Sequence, residues 1–267
     1  VSAGRPLHVA ITGASSGIGA EAAREFAAHG ANVTLVARRK EELERLARDL
    51  PGRTFVAAHD LTDLPHAADW IPAAEAALGP IDVLVSNAGF LAVGPTASFD
   101  PDEGERMSTL NFLVPARLMR AVLPGMLARR GGVIVNVTSV AALVSMPGWA
   151  YQAASKAASA MFSEALADEV AGSGVHVMTF YPGPTDTPMT RAGLMRYGET
   201  KLADLIPLGN AAVLAARLRR AVERRSRRLF YPRFYAVLRW FPRLSQWVAS
   251  RVSPRLGEPI EARHGSR

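Results

Sequence analysis

The stretch Leu7-His8-Val9-Ala10-Ile11-Thr12-Gly13-Ala14-Ser15-Ser16-Gly17-Ile18-Gly19 decides the fold. A short apolar run passes directly into a turn whose glycines are spaced Gly-x-x-x-Gly-x-Gly. The segment 17–29 that follows reads as a helix and stops at Gly30, a C-cap residue. Glycines at a strand-to-helix turn let the backbone approach a pyrophosphate. The helix that follows offers free N–H groups and a positive dipole end to its charge.

Working outward, apolar runs at 7–12, 32–37, 54–58, 81–86, 133–138 and 175–180 read as strands. Most are rich in Val and Ile and apolar on both faces, the pattern of parallel strands covered on both sides. Helices are expected at 17–29, 39–50, 67–78, 103–130 and 153–171. In the second, Leu43, Leu46 and Leu50 recur at helical spacing opposite a charged face. Pro115 and Pro124 should bend or divide the fourth. Residues 228–231 could add a seventh strand at the sheet edge. The alternation predicts an α/β fold: a Rossmann-type doubly wound parallel sheet of about seven strands, with helices on both faces.

A length of 267 residues suits one such domain, and 49% hydrophobic with 21% charged residues excludes a disordered, collagenous or coiled-coil chain. There is no cysteine, so disulfides, thiolate metal sites and cysteine nucleophiles are excluded. The six histidines show no ligand spacing, and no metal is expected. Net charge is +7, unevenly placed: 14 arginines against three glutamates make residues 217–267 about +11, and the rest is mildly acidic. Residues 1–6 carry no signal-peptide pattern, and no run of 18 uncharged apolar residues exists. A cytoplasmic location is expected, with peripheral membrane contact as a variant of it.

The second strand ends at Ala37-Arg38-Arg39. A ribose with a free 2′-OH is met by an acid at this strand end and a 2′-phosphate by arginine. No acid stands here, and Ser15 can add a hydrogen bond, so NADP(H) is favoured over NAD(H). The plain alternative is that both arginines open a solvated helix.

These motifs make the sequence resemble the classical short-chain dehydrogenase/reductase family over roughly residues 6–190. Thr12–Gly19, with Gly13, Ser15, Ser16, Gly17, Ile18 and Gly19, resembles its cofactor turn. Asp60-Leu61 resembles its adenine-contacting pair. Asn87-Ala88-Gly89 resembles its structural Asn-Ala-Gly, with Ser86 in place of the usual first Asn. Asn111, Ser139 and Lys156 resemble its active-site residues, and Pro182-Gly183 with Thr185 and Thr187 its nicotinamide-side motif. The resemblance implies a carbonyl–alcohol oxidoreductase and a homodimer or homotetramer. A Tyr beside the Lys would donate the proton, Ser139 would bind the carbonyl oxygen, and Asn111 would hold a relay water. Lys156 would also grip the nicotinamide ribose.

One spacing departs from the family. Its Tyr-x-x-x-Lys is here Tyr151-Gln152-Ala153-Ala154-Ser155-Lys156, so Tyr151 stands five residues before Lys156 and Gln152 four. Ser139 and Pro147-Gly148 keep their usual distances to Lys156, which speaks against an insertion and puts Gln152 in the Tyr slot. Glutamine cannot act as a general acid. Three explanations stand open. A late or bulged helix start would let Tyr151 reach the site; the protein would bind cofactor with little turnover; or chemistry would run through water and Lys156. Tyr151 otherwise reads as a packing aromatic beside Trp149.

Residues 188–210 are expected to form an apolar substrate lid, with Met189, Leu194, Met195, Tyr197, Leu202, Leu205, Ile206 and Leu208. A hydrophobic, lipid-like or steroid-like carbonyl would suit it, though core packing explains the same residues. Residues 229–267 form a basic aromatic extension of the same single domain, 1–267. Within 229–252, seven aromatics alternate with Arg233, Arg239, Arg243 and Arg251. Trp240, Leu244, Trp247 and Val248 could share a helical face. A pocket cover or subunit contact and an anionic membrane surface are the competing readings; no recognition module supports nucleic acid. The leading function is an NADP(H)-dependent oxidoreductase on a hydrophobic ketone or alcohol. The alternative is a cofactor-binding scaffold or sensor.

Overall fold

A computed structural model describes residues 4–195 and 208–252. Seven strands form one parallel sheet: β1 (His8–Thr12), β2 (Asn32–Ala37), β3 (Thr54–Ala58), β4 (Val83–Ser86), β5 (Gly132–Val137), β6 (Val175–Pro182) and β7 (Arg228–Tyr231). Their order is β3-β2-β1-β4-β5-β6-β7. The order reverses between β1 and β4, which places a crevice at the carboxyl ends of those strands, where ligands bind in open α/β sheets.

The two-residue period of the strands builds two cores. Val9 and Ile11 of β1, with Val33 and Leu35 of β2, face α1 (Gly17–Ala28), α2 (Lys40–Asp49) and α8 (Ala211–Glu223). Ala10, Val36, Leu84 and Ile134 face α3 (Trp70–Leu78), α5 (Val114–Ala128) and α6 (Ala150–Glu169). Strands apolar on both faces are thus covered on both faces, as their composition predicts. The expected edge strand at 228–231 is present as β7.

Two helices differ from expectation. The helix expected at 67–78 begins only at Trp70, after a 3-10 turn at Leu64–His66. The long helix expected at 103–130 is α4 (Pro101–Ser108), a π-helical turn (Thr109–Leu113) and α5. The π turn divides it ahead of Pro115, and Pro124 stays inside α5. After β7 the chain forms a 3-10 turn (Arg233–Tyr235), α9 (Ala236–Trp240) and α10 (Pro242–Val252). Of the expected lid, α7 (Pro188–Met195) and Leu208–Asn210 are described, and 196–207 lie outside the described residues. No described helix is long and apolar enough to cross a membrane.

Candidate active site

The site begins where β1 ends. Gly13 N–H donates to the Val36 carbonyl at 2.8 Å, which folds the turn back over the sheet. Gly13 (φ +68°) and Gly17 (φ +57°) occupy the left-handed region. A Cβ on Gly19 would stand 2.4 Å from the Gly13 carbonyl oxygen, so only glycine closes this turn. From β4, Asn87 Nδ2 donates to the Thr12 carbonyl at 2.9 Å, and Asn87 and Ala88 N–H donate to Thr12 Oγ1 at 2.9 and 3.0 Å. Ser16 caps α1 without a side-chain hydrogen bond, so the first N–H groups of that helix keep their capacity for an anion. The turn therefore fits a dinucleotide pyrophosphate.

At the end of β2, Arg39 Nη2 donates to Ser15 Oγ at 2.9 Å and Ser16 Oγ at 3.1 Å, which aims its guanidinium back at the turn. Arg38 lines the same cavity, as do Asp60 and Leu61 after β3. Partial burial raises the Asp60 carboxyl. Hydrogen bonds from Thr62 N–H (2.9 Å) and Thr62 Oγ1 (2.8 Å), with the Arg38 charge, outweigh it and hold the group below the usual range.

The chemistry-bearing residues meet across β5, the π turn and α6. The π turn points Asn111 inward, fully buried. Its Oδ1 accepts from Phe90 N–H at 2.9 Å. Its Nδ2 donates to the Phe90 carbonyl (3.0 Å), Gln152 Oε1 (3.0 Å) and Ser155 Oγ (3.2 Å). Ser139 follows β5, and its Oγ accepts from Ala141 N–H at 3.1 Å. Lys156 Nζ donates to the Val137 carbonyl at 3.2 Å. Burial pulls its pKa from 10.5 down to about 8. Gly89 must be small here: a Cβ would sit 3.1 Å from Asn111 Oδ1 and 3.5 Å from Lys156 Nζ.

The Tyr–Gln register is plain in this geometry. Helix α6 starts at Ala150, three residues earlier than expected, and Ala153 N–H donates to the Trp149 carbonyl at 2.7 Å. Tyr151 and Gln152 both lie within regular helix, so a late or bulged start is not what the chain adopts. Gln152 and Lys156, four apart, share the buried face that lines the cavity. Tyr151 turns away. Its ring stacks on Phe99 at 4.9 Å and lies over Gly104 of α4, where a Cβ would come within 2.5 Å of Cε1. Tyr151, carried as a catalytic candidate and expected beside Trp149, therefore packs against α4 and Phe99. Trp149 lines the cavity instead.

The remaining motif residues line one cavity of about 970 Å³: Gly13, Ser15, Ser16, Gly17, Ile18, Asn87, Ala88, Gly89, Pro182, Gly183, Thr185 and Thr187 among them. Gly19 lies behind the turn. Thr185 Oγ1 donates to the Gly183 carbonyl at 3.0 Å, and Thr187 Oγ1 meets Thr190 Oγ1 at 3.0 Å. Of the apolar residues expected in the lid, Met189 is on the cavity wall, Leu208 is exposed, Leu194 and Met195 end α7, and Tyr197, Leu202, Leu205 and Ile206 lie outside the described residues.

Sequence reading missed one contributor. Ser155 is an Asn111 partner, a link across 44 positions with no local signal. The arm of 233–252, for which a pocket cover was one of the open readings, supplies a cavity wall through Tyr235, Val237, Leu238, Phe241, Leu244 and Val248. The arm is held at two points. Tyr235 packs on Gly183, where a Cβ would come within 2.4 Å of the ring. Gln246 grips Ser145: its Oε1 accepts from Ser145 N–H at 3.0 Å, and its Nε2 donates to the Ser145 carbonyl at 3.2 Å. The face expected to join Trp240, Leu244, Trp247 and Val248 is divided, because the chain breaks between α9 and α10 at Phe241. Leu244 and Val248 turn to the cavity, and Trp240 and Trp247 do not.

Comparison with known proteins follows the same lines. The family model for short chain dehydrogenases matches residues 7–195. A short chain dehydrogenase of Pseudocercospora fijiensis is 36% identical over 185 residues, 67% of this chain and 60% of that one. The chain thus spans about three-fifths of the length of the first curated relatives it matches. A fatty acyl-CoA reductase of Mycobacterium tuberculosis is 37% identical over 78% of this chain and 70% of its own. The crystal structure of a short-chain dehydrogenase from Streptomyces avermitilis superposes with a TM-score of 0.76 at 31% identity, covering 91% of this chain and 98% of that one. Two further neighbours at TM-score 0.76 are complexes, one with NADP⁺ and one with NADH. Fold, motif order and relatives agree that this chain belongs to the short-chain dehydrogenase/reductase family of oxidoreductases.

Proposed function

We propose that the protein is an NADP(H)-dependent oxidoreductase of apolar ketones or alcohols, in which Lys156 rather than a tyrosine handles the proton. The observation that carries this reading is the single cavity joining Arg38 and Arg39 to Ser139, Gln152 and Lys156 and ending on the apolar wall of the arm. Two arginines and no acid at the β2 end favour the 2′-phosphate of NADP(H). The apolar wall, with Trp149 and Met189, favours a hydrophobic substrate. One relative is named for a long-chain apolar substrate, as a fatty acyl-CoA reductase.

A bound nicotinamide dinucleotide supplies or accepts the hydride. The chain does the rest. Ser139 Oγ offers a hydrogen bond to the carbonyl oxygen. Gln152 Oε1 is taken by Asn111, which leaves the amide NH₂ as its donor toward the cavity. Lys156, brought near neutrality by burial, gives its proton to the alcohol oxygen in reduction and takes it back in oxidation. Asn111, tied to Phe90 and Ser155, fixes the position of Gln152, and the Val137 carbonyl holds Lys156.

A second reading rests on a specific observation: Tyr151 is packed on Phe99 and Gly104, and a glutamine amide is no acid. In it the protein binds NADP(H) as a scaffold with little turnover. Single-turnover oxidation of bound NADPH with a panel of aromatic and long-chain ketones separates the two. A signal abolished by Lys156→Met supports the oxidoreductase. Tight NADPH binding without a signal from any ketone supports the scaffold.

A further inference from the structure

We propose that the outer face of the C-terminal arm docks on an anionic lipid surface. The arm carries two apolar faces. The inner one lines the cavity. The outer one presents Phe234 (64% exposed), Trp240 (77%) and Trp247 (56%), none of which lines the cavity. Gln246 and Tyr235 hold the arm in place, so these rings stand on anchored helices.

Charge names the partner. Arg233, Arg243 and Arg251 are exposed beside those rings, while Arg239 pairs with Glu164 at 3.9 Å, and residues 229–252 contain no acid. Arg251 lies over the Trp247 ring at 5.2 Å, which keeps a cation at the level of the indole. Tryptophan beside arginine suits the headgroup boundary of a bilayer, where the ring enters the apolar layer and the cation meets phosphate. A second copy of this surface would set three arginines against three. Nucleic acid would match the charge but not the cavity rim. Val237, Phe241, Leu244 and Val248 line the cavity and are each more than 40% exposed, so its mouth is apolar and adjoins the outer rings. A bilayer provides an apolar phase at such a mouth. With no described helix able to cross, the contact is one of lying on the surface. The inference does not depend on the oxidoreductase chemistry proposed above.

The test is co-sedimentation of the full chain with vesicles of phosphatidylcholine alone and of equimolar phosphatidylcholine and phosphatidylglycerol. Tryptophan quenching by brominated acyl chains is read alongside. Binding to the anionic vesicles is expected, about tenfold or more above the neutral ones. Trp240→Ala with Trp247→Ala should lower it about tenfold and cut the quenching to what Trp149 inside the cavity contributes, since Trp70 is buried. Arg233→Gln with Arg243→Gln should cost about fivefold for each charge and flatten the salt dependence. Far-UV circular dichroism and NADPH binding verify that the variants fold. The proposal is overturned if the full chain ignores anionic vesicles at low salt. It is equally overturned if the double tryptophan variant binds as before, or if a single-stranded oligonucleotide displaces the vesicles at lower concentration.

Discussion

Replacing Gln152 by tyrosine should convert a slow site into a fast one. Gln152 is buried on the face of α6 that carries Lys156, and it lines a cavity of about 970 Å³, so a ring at this position has room to extend. The exchange removes one hydrogen bond, Asn111 Nδ2 to Gln152 Oε1 at 3.0 Å, at a cost of about 1 kcal/mol. Asn111 keeps its place through Phe90 and Ser155. The new phenol would lie one helical turn from an ammonium group, which favours its ionised form and makes it a better proton donor. A positioned general acid contributes about 10²–10⁴-fold, or roughly 3–5 kcal/mol of barrier. Gln152→Tyr should therefore raise kcat for ketone reduction by about two to four decades with NADPH affinity held. The companion variant Tyr151→Phe should leave turnover unchanged, because the Tyr151 ring packs on Phe99 outside the cavity. The assay is NADPH oxidation under single-turnover conditions, with NADPH binding measured separately. The reasoning fails if Tyr151→Phe abolishes turnover. It fails also if Gln152→Tyr binds NADPH normally and gains nothing.

Further tests bear on the cofactor, the lysine and the arm. Arg38→Ala removes a charged partner for a 2′-phosphate and should weaken NADPH by about 1.5–3 kcal/mol while moving NADH little; equal losses for the two cofactors would reject the assignment. Burial lowers the Lys156 pKa in the folded state to about 8, so the protonated side chain costs the fold about 3 kcal/mol below that pH. Stability should rise as pH climbs from about 8 toward 10.5, because the folded state sheds a proton that the unfolded chain keeps. In Lys156→Met that rise should vanish in urea unfolding, and a rise of the same size would exclude Lys156 as its source. With Lys156 as the acid, ketone reduction should fall and alcohol oxidation rise through about pH 8; parallel profiles would count against it. Gln246→Ala releases its three hydrogen bonds with Ser145 and should loosen the arm by about 1 kcal/mol, read as roughly fivefold faster tryptic cleavage after Arg239 or Arg243. Unchanged cleavage would mean that other contacts hold the arm.

What the chain displays locally and what it does not divides by the range of the interactions involved. The strands and the glycine turn are local: short Val- and Ile-rich runs apolar on both faces, and glycines whose missing Cβ atoms leave room for Gly13 O and Asn87. The Tyr–Gln exchange is countable, because Ser139 and Lys156 bracket it on one strand end and one helix. The π turn is not. Its driving contacts tie Asn111 to Phe90 on one side and to Gln152 and Ser155 on the other, at separations of 21, 41 and 44 residues. Proline was the visible helix breaker, yet Pro115 sits in the first turn of α5, where its missing N–H is harmless.

The arm makes the same point at longer range. Trp240, Leu244, Trp247 and Val248 share a helical period in the sequence, and a continuous helix would put them on one face. Which of them turns inward is settled by Gln246 closing on Ser145 across 101 positions and by Tyr235 meeting Gly183. Neither contact leaves a trace in the composition of 229–252. Periodicity reports that a helix has an apolar side, and the tertiary partner decides what that side faces. Here the partner is a loop beside the active site. The same contacts that complete the cavity wall therefore also leave two tryptophans exposed, and loosening one should disturb the other.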